Sequence, residues 1–174
     1  MKIFIMRHGE AASIAGEDSL RPLTKQGALE AEKMGQWLAH SKPAMMNVFV
    51  SPYIRAQQTC AYVTDALTKA SLMDDAELKT LDFITPSGNA RHLHDYLDGL
   101  LQSNAFSMHD HCFNDEQAIL FVSHMPFVSY LVGELTGTSN MPIFSTGAIA
   151  VIDYEIKLMQ GQLVEMVSPD EVQI

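Results

Sequence analysis

The sequence has little cysteine, and this shortage limits what the protein can be. Its 174 residues include 2 cysteines, Cys60 and Cys112, which form no closely spaced pair. A disulfide framework is therefore not indicated, and a reducing cytoplasm is the simplest expected compartment. The chain also has no basic leader followed by an apolar run, and no long uncharged apolar stretch. It therefore predicts neither a secretory signal nor a membrane span.

Positive charge is also scarce. The net charge is −10 at neutral pH, which argues against nucleic acid or an anionic membrane as a partner. There are four arginines, at positions 7, 21, 55 and 91. An acidic protein that binds an anion needs a local cluster of cations, so the placement of these few arginines is informative.

Apolar runs alternate with helical patterns along most of the chain, which we expect to form one domain over residues 1–174. The runs predict strands at 2–6, 47–50, 78–84, 118–122, 147–156 and 162–167. The three-to-four spacing of apolar residues predicts helices at 24–39, 51–67, 88–102 and 125–135. Thr24 and Ser51 are the expected N-caps of the first two helices. This alternation predicts a three-layer α/β/α sandwich with a mostly parallel central sheet.

Polar side chains follow three of the predicted strands. They are Arg7, His8 and Gly9 after the first, Ser51 and Arg55 after the second, and Ser123 and His124 after the strand at 118–122. Ligand sites of open parallel sheets lie outside the carboxyl ends of the strands. We therefore expect two arginines and two histidines to converge there.

Such a cluster suits an anion with several oxygens, and phosphate is the obvious candidate. We expect no acidic residue at the site to balance the two guanidinium groups. Arginine binds phosphate oxygens in a bidentate way. The concentrated positive charge also disfavours protonation of an imidazole, so that one histidine can remain neutral and attack phosphorus.

The motifs RHG at 7–9, SPYIRAQQT at 51–59 and SH at 123–124 resemble those of the histidine phosphatase superfamily, which includes the phosphoglycerate mutases. Further segments resemble the SixA-type phosphohistidine phosphatases of that superfamily: FIMRHGEA, RPLT, DFITPSG, SHMPFVSYLVGEL and FSTGAIA. They occur in the expected order over nearly the whole chain.

The resemblance implies a compact phosphoglycerate mutase-like fold with a reduced lid, and a hydrolase that forms a covalent phosphohistidine. It implies that His8 is the nucleophile, that Arg7 and Arg55 clamp the phosphoryl oxygens, and that His124 is the second histidine of the pocket. Arg21, Gly9 and Ser123 are the expected substrate contacts. The implied partner is a phosphohistidine-bearing protein, such as a histidine phosphotransfer domain of a phosphorelay in signal transduction.

Two alternatives remain open from the residues alone. A small-molecule phosphomonoesterase would need a carboxylic acid to protonate its leaving group, and Asp82 is the nearest candidate for one. Phosphohistidine needs no such acid, because its leaving imidazole has a proton-accepting nitrogen. The other alternative is a module that binds phosphohistidine without turnover.

No cofactor is expected, and no metal. The motif HDHC at 109–112 contains metal-binding residue types, but four adjacent residues rarely surround one ion tetrahedrally. The polar stretch at 103–116 that contains this motif is predicted to be a surface loop.

Overall fold

Six strands and four helices make up the described part of the chain. In this computed structural model the described residues are 1–13, 16–74, 76–105, 117–139 and 141–173. The strands are β1 Lys2–Arg7, β2 Ala44–Val50, β3 Glu77–Thr80, β4 Gln117–Ser123, β5 Ile149–Glu155 and β6 Gln160–Val167. The helices are α1 Lys25–His40, α2 Ile54–Lys69, α3 Ala90–Ala105 and α4 Phe127–Thr136, and a short 3-10 turn spans Asp18–Leu20.

All six strands belong to one sheet, in the order β3-β2-β4-β1-β5-β6. The first four are parallel to one another, whereas β5 runs antiparallel to both β1 and β6. The predicted mostly parallel sheet is confirmed. The pairing also makes β2, β4 and β1 direct neighbours at the centre.

The sheet is covered on both faces, because its central strands carry apolar residues on both faces. Phe4 and Met6 of β1 pack into a core shared with α1 and α2. The alternate residues Ile3 and Ile5 pack into a second core, shared with α3 and α4. Strands buried on both faces are typical of parallel sheets, and the predicted three layers are confirmed.

Some element boundaries differ from the prediction. Thr24 caps α1 as expected, since its side chain accepts a hydrogen bond from the N–H of Gly27. Ser51 does not cap α2, which begins at Ile54 after Tyr53. Strand β3 is shorter than predicted and has only exposed residues, as befits the edge of the sheet. The predicted loop also begins later, because residues 103–105 still belong to α3.

The carboxyl ends of β2, β4 and β1 lie level with one another. Arg7 at the end of β1 is in register with Ser123 of β4, and Val50 of β2 is in register with Val122. The polar residues that follow these three strands therefore meet at one edge of the sheet.

Candidate active site

His8 lies at the centre of this edge, and its neighbours fix its tautomer. Its Nδ1 lies 2.7 Å from the carbonyl oxygen of Gly9, which can only accept, so Nδ1 carries the proton. The Nε–H of Arg55 donates to Nε2 of His8 over 3.1 Å, so Nε2 carries the lone pair. Burial, and after it the charges of the nearby arginines, lower the pKa of His8 to about 4, against the effect of the Gly9 hydrogen bond. The ring is therefore neutral at neutral pH with a lone pair on Nε2.

Arg55 is buried, with 3% of its surface exposed, and it reaches His8 from the first turn of α2. Side chains in a first helical turn point back toward the helix N-terminus, which here is the strand edge. Its guanidinium also lies over the ring of Tyr53, 4.9 Å from the centroid. This stacking holds the group against one wall of the site.

The prediction that no acidic residue balances the arginines is wrong. The carboxylate of Asp18 accepts from NH2 of Arg55 over 2.9 Å and from NH1 of Arg21 over 2.8 Å. Its backbone carbonyl accepts from NH1 of Arg55 over 2.6 Å. Asp18 belongs to the 3-10 turn before α1, so chain folding rather than local spacing brings it to the site.

His124 faces His8 across the site, with the two ring centroids 5.0 Å apart. Its Nε2 lies 2.7 Å from Oγ of Ser51, the residue predicted as the N-cap of α2. Burial, followed by the effects of His8 and Arg55, holds the pKa of His124 well below its usual range. This second ring is therefore also neutral at neutral pH.

Two buried polar atoms of this site have no hydrogen-bond partner. They are Nδ1 of His124 and Nε of Arg7, and they are the only buried side-chain nitrogen or oxygen atoms without one in the described part of the chain. Arg7 is held instead through NH1, which donates to the carbonyl of Phe144 over 2.6 Å. An unpaired buried polar atom is costly, and an anion with several oxygens could pair both.

Arg21 has no direct hydrogen bond with His8 or His124 and, among the described residues, is linked to the site only through another side chain. Its Nε donates to the carbonyl of Ala12 over 2.7 Å, and its other contact is the one with Asp18. The structure thus links Arg21 to the site through Asp18 and not through a contact with either histidine.

Gly9 and Ser123 have structural contacts instead of free groups for a substrate. The N–H of Gly9 donates to Oγ1 of Thr59 over 3.1 Å, and a Cβ at Gly9 would lie 2.3 Å from the carbonyl oxygen of Gly27. The glycine is thus needed for the close approach of this loop to α1. The hydroxyl of Ser123 donates to the carbonyl of Ile84 over 2.7 Å and is fully buried.

Sequence reasoning missed three residues that hold this site together. Asp18 gave no local signal, because it acts on a residue distant in the chain. Thr59 belongs to the SPYIRAQQT motif, but its hydrogen bond with the backbone of Gly9, 50 positions away, was not predicted. Ser51 was predicted to follow the second strand and to cap a helix, but its hydrogen bond with His124 was not predicted. Its place after β2, the neighbour of β4, was the signal that could have connected it with His124.

Asp82, the predicted acid of the alternative, is exposed in the segment after β3. No contact with another described residue holds its carboxylate over the site. The described residues contain no group of three or more His, Cys, Asp or Glu side chains placed to bind a metal ion. The HDHC motif at 109–112 lies outside the described residues.

The sequence and the fold match known proteins. Residues 3–97 match the family model of the histidine phosphatase superfamily (branch 1). The chain is 40% identical over 152 residues to the phosphohistidine phosphatase SixA of Escherichia coli, covering 87% of this chain and 84% of that protein. It is 37% identical over 155 residues to a SixA homolog of Haemophilus influenzae, covering 86% of each. A solved structure of the protein histidine phosphatase SixA complexed with tungstate matches with a TM-score of 0.82 and 35% identity, over 98% of both chains.

Proposed function

The chain belongs to the histidine phosphatase superfamily, and from this we propose that it removes the phosphoryl group from a protein phosphohistidine through a covalent intermediate on His8. The observation that carries the proposal is the pair of unpartnered atoms, Nε of Arg7 and Nδ1 of His124, beside a neutral histidine. Tungstate, which a related solved structure holds, is a tetrahedral oxyanion like phosphate.

In the first step, the lone pair on Nε2 of His8 attacks phosphorus. As the group approaches, the Nε–H of Arg55 exchanges its bond to Nε2 for one to a phosphoryl oxygen. Arg7 and His124 bind the remaining oxygens, so the two guanidinium groups of Arg7 and Arg55 meet the charge that develops in the transition state. The bond from phosphorus to the substrate imidazole breaks, and its electron pair stays on the departing nitrogen.

In the second step, water attacks the phosphorus on His8. The new bond to the water oxygen forms as the bond to Nε2 breaks, one water proton passes to the solvent, and hydrogen phosphate leaves. His8 regains its lone pair, while Nδ1 keeps its proton on the Gly9 carbonyl throughout. The same tautomer is therefore ready for the next cycle.

The carboxylates support phosphohistidine, and not an alkyl ester, as the substrate. The hydrogen bond from Arg21, and also that from Arg55, lowers the pKa of Asp18, so that it is ionised at neutral pH and cannot act as an acid. Asp82 makes no hydrogen bond or ion pair with another described residue that would position it. The lowered pKa of His124 keeps its ring uncharged at neutral pH, so it cannot protonate a leaving group as an imidazolium. A phosphorylated imidazole can leave without an acid, because its second nitrogen takes up a proton from water.

We propose that the substrate is presented on a protein, specifically a histidine phosphotransfer domain of a phosphorelay in the cytoplasm. Two exposed apolar side chains are next to site residues in the chain. Leu20, 58% exposed, belongs to the 3-10 turn of Asp18, and Ile143, 86% exposed, precedes Phe144, which binds Arg7. Apolar contacts beside a cationic pocket suit a protein surface better than a small phosphorylated metabolite. In the described part of the chain, no helix is long and apolar enough to cross a bilayer.

The test compares leaving groups. The parent, Asp82→Asn and, as a blank, His8→Ala are assayed at neutral pH with a phosphohistidine protein, with aryl phosphates of graded leaving-group pKa, and with a phosphoserine peptide. We expect the parent and Asp82→Asn to behave alike, with rates that fall steeply as the leaving group worsens.

Two outcomes would contradict the proposal. A flat dependence in the parent that becomes steep in Asp82→Asn would reveal a general acid and a phosphomonoesterase. Binding of the phosphohistidine protein without release of phosphate would instead indicate a binding module.

A further inference from the structure

We infer that Asp18 is a positioning residue, which holds Arg55 so that its Nε–H points at Nε2 of His8, where the phosphoryl group is transferred. The inference rests on the proposed function and adds to it a residue that acts through Arg55 and never touches the substrate.

The guanidinium of Arg55 contacts Asp18 through its two terminal nitrogens and His8 through Nε. NH1 and NH2, at the end of the fork, donate to the carbonyl and carboxylate of Asp18 over 2.6 and 2.9 Å. Nε, on the other side, donates to His8 over 3.1 Å. A long arginine side chain has several rotatable bonds, and fixing it costs conformational entropy. Asp18 holds the fork end, and this leaves the Nε side to face the reacting nitrogen.

Asp18 itself is fixed from behind. Its second carboxylate oxygen accepts from Arg21, and Arg21 is anchored by its bond to the carbonyl of Ala12. The backbone of Ala12 in turn donates to the carbonyl of Pro22 over 2.9 Å. Hydrogen bonds therefore connect Arg21, Asp18 and Arg55 in series, and the position of this loop fixes the direction in which Arg55 faces His8.

The carboxylate of Asp18 does not occupy the position of the phosphoryl group. Its contacts are with Arg21 and Arg55, and it reaches neither Nε of Arg7 nor Nδ1 of His124, which remain without partners. A carboxylate that mimicked phosphate would pair with those atoms. Asp18 therefore contacts Arg55 on the side away from His8, outside the proposed phosphoryl site. A bound anion does not have to displace it.

Removing the charge of Asp18 has two opposite expected effects, one on the affinity for phosphate and one on turnover. A carboxylate near a bound anion repels it, so charge alone predicts that Asp18→Asn binds inorganic phosphate more tightly and works at least as well. The positioning role predicts the opposite for turnover, because Arg55 loses a charge-assisted hydrogen bond that sets its direction.

The experiment measures kcat and KM for a phosphohistidine protein, and the inhibition constant of inorganic phosphate, in the parent and in Asp18→Asn. Glu17→Gln is the matched control, because it removes the same charge from the neighbouring position, where the carboxylate contacts only Ser19 among the described residues. We expect Asp18→Asn to lower kcat about tenfold, the scale of one charge-assisted hydrogen bond. Phosphate should bind as tightly as to the parent or more tightly, and Glu17→Gln should stay within about twofold.

A double-mutant comparison tests whether Asp18 acts through Arg55. In an Arg55→Lys background the fork is already gone, so adding Asp18→Asn should lower kcat little further. A full additional loss there, an equal loss in Glu17→Gln, or an Asp18→Asn with the kcat of the parent would each overturn the inference. A parent without turnover of phosphohistidine would instead overturn the proposed function on which the inference rests. Circular dichroism identifies any variant that has not folded.

Discussion

Two clusters of this molecule are built around histidine, and they differ in the charges that surround the ring. At the strand edge, His8 and His124 lie among arginines, and burial with these charges lowers both pKa values. The second cluster, between α3, α4 and β5, has carboxylates around its histidine. It consists of His94, Tyr154, Asp98 and Glu134.

The second cluster is paired within itself. Nε2 of His94 lies 2.9 Å from the hydroxyl of Tyr154, which donates to Asp98 over 3.0 Å. A carboxylate oxygen of Glu134 lies 3.5 Å from Nδ1 of His94. Burial and the carboxylate of Asp98 raise the pKa of Tyr154 above its usual range, which keeps the hydroxyl protonated as a donor.

By this difference in charge and pairing we propose to distinguish the nucleophilic histidine from a structural one in this fold. The carboxylates of the second cluster would repel a phosphoryl group, and none of its buried polar atoms lacks a partner. The strand-edge cluster has neutral rings, an excess of cations and two unpartnered donors or acceptors. The variants below test whether function follows that distinction.

The largest expected effect on turnover appears when a histidine of each cluster is substituted in turn. His8→Ala removes the proposed nucleophile and should reduce turnover below detection, whereas His94→Gln should retain turnover near that of the parent. The measurement is phosphate release from a phosphohistidine protein, with circular dichroism on both variants. Near-normal turnover by a folded His8→Ala would show that the nucleophile lies elsewhere.

Arg55→Lys should have the next largest effect. Lysine keeps the charge but loses the fork that contacts His8 and Asp18 at once, so kcat/KM should fall at least about tenfold, or about 1.4 kcal/mol. Arg91→Lys is the control, because Arg91 is exposed and its side chain makes no hydrogen bond or ion pair with a described residue. A lysine at position 55 as active as arginine would mean that charge alone suffices.

The pH profile should report the lowered pKa of His8. Protonation removes the lone pair of Nε2, so kcat/KM should stay level from about pH 8 to 6 and fall only near pH 4. An acid limb near pH 6.5, the ordinary value, would contradict the account. An aryl phosphate with a His8→Ala blank corrects for spontaneous hydrolysis.

The same lowered pKa also affects stability. The unfolded chain takes up protons below about pH 6.5 while folded His8 does not until about pH 4. Stability therefore decreases as the pH falls through this window, and folding should be checked at each pH.

The smallest effect on turnover is expected from Tyr154→Phe in the second cluster. Loss of the hydroxyl removes the bonds to His94 and Asp98 and should lower the free energy of unfolding by about 1 kcal/mol, with kcat unchanged. Urea denaturation and the phosphohistidine assay measure the two quantities. A marked loss of kcat at unchanged stability would contradict a purely structural role for this cluster.

Much of the fold and the outline of the site could be predicted from sequence, because both depend on local patterns. Apolar strands that end in Arg7, Ser51 and His124 had to share one edge once the sheet was parallel. The helix cap at Thr24 was predictable for the same reason, since its side-chain oxygen and the N–H of Gly27 that donates to it lie within one turn.

The missed features depend on contacts between distant residues. Asp18 is 37 positions before Arg55 and lies in an irregular turn, where no periodic pattern gives its direction. Ser51 before Pro52 has the pattern of a helix start, but its hydroxyl bonds His124, 73 positions away. No sequence spacing distinguishes those two uses of a serine.

The central claim, a phosphoryl group carried on Nε2 of His8, can be measured directly. The protein is mixed with a phosphohistidine protein, quenched within a turnover in alkali, where phosphohistidine survives, and mapped by mass spectrometry. The account predicts a phosphoryl group on the peptide with His8, at Nε2, which forms and decays as phosphate appears and is absent in His8→Ala. Release of phosphate with no phosphorylated peptide, or with the group on His124, would contradict it.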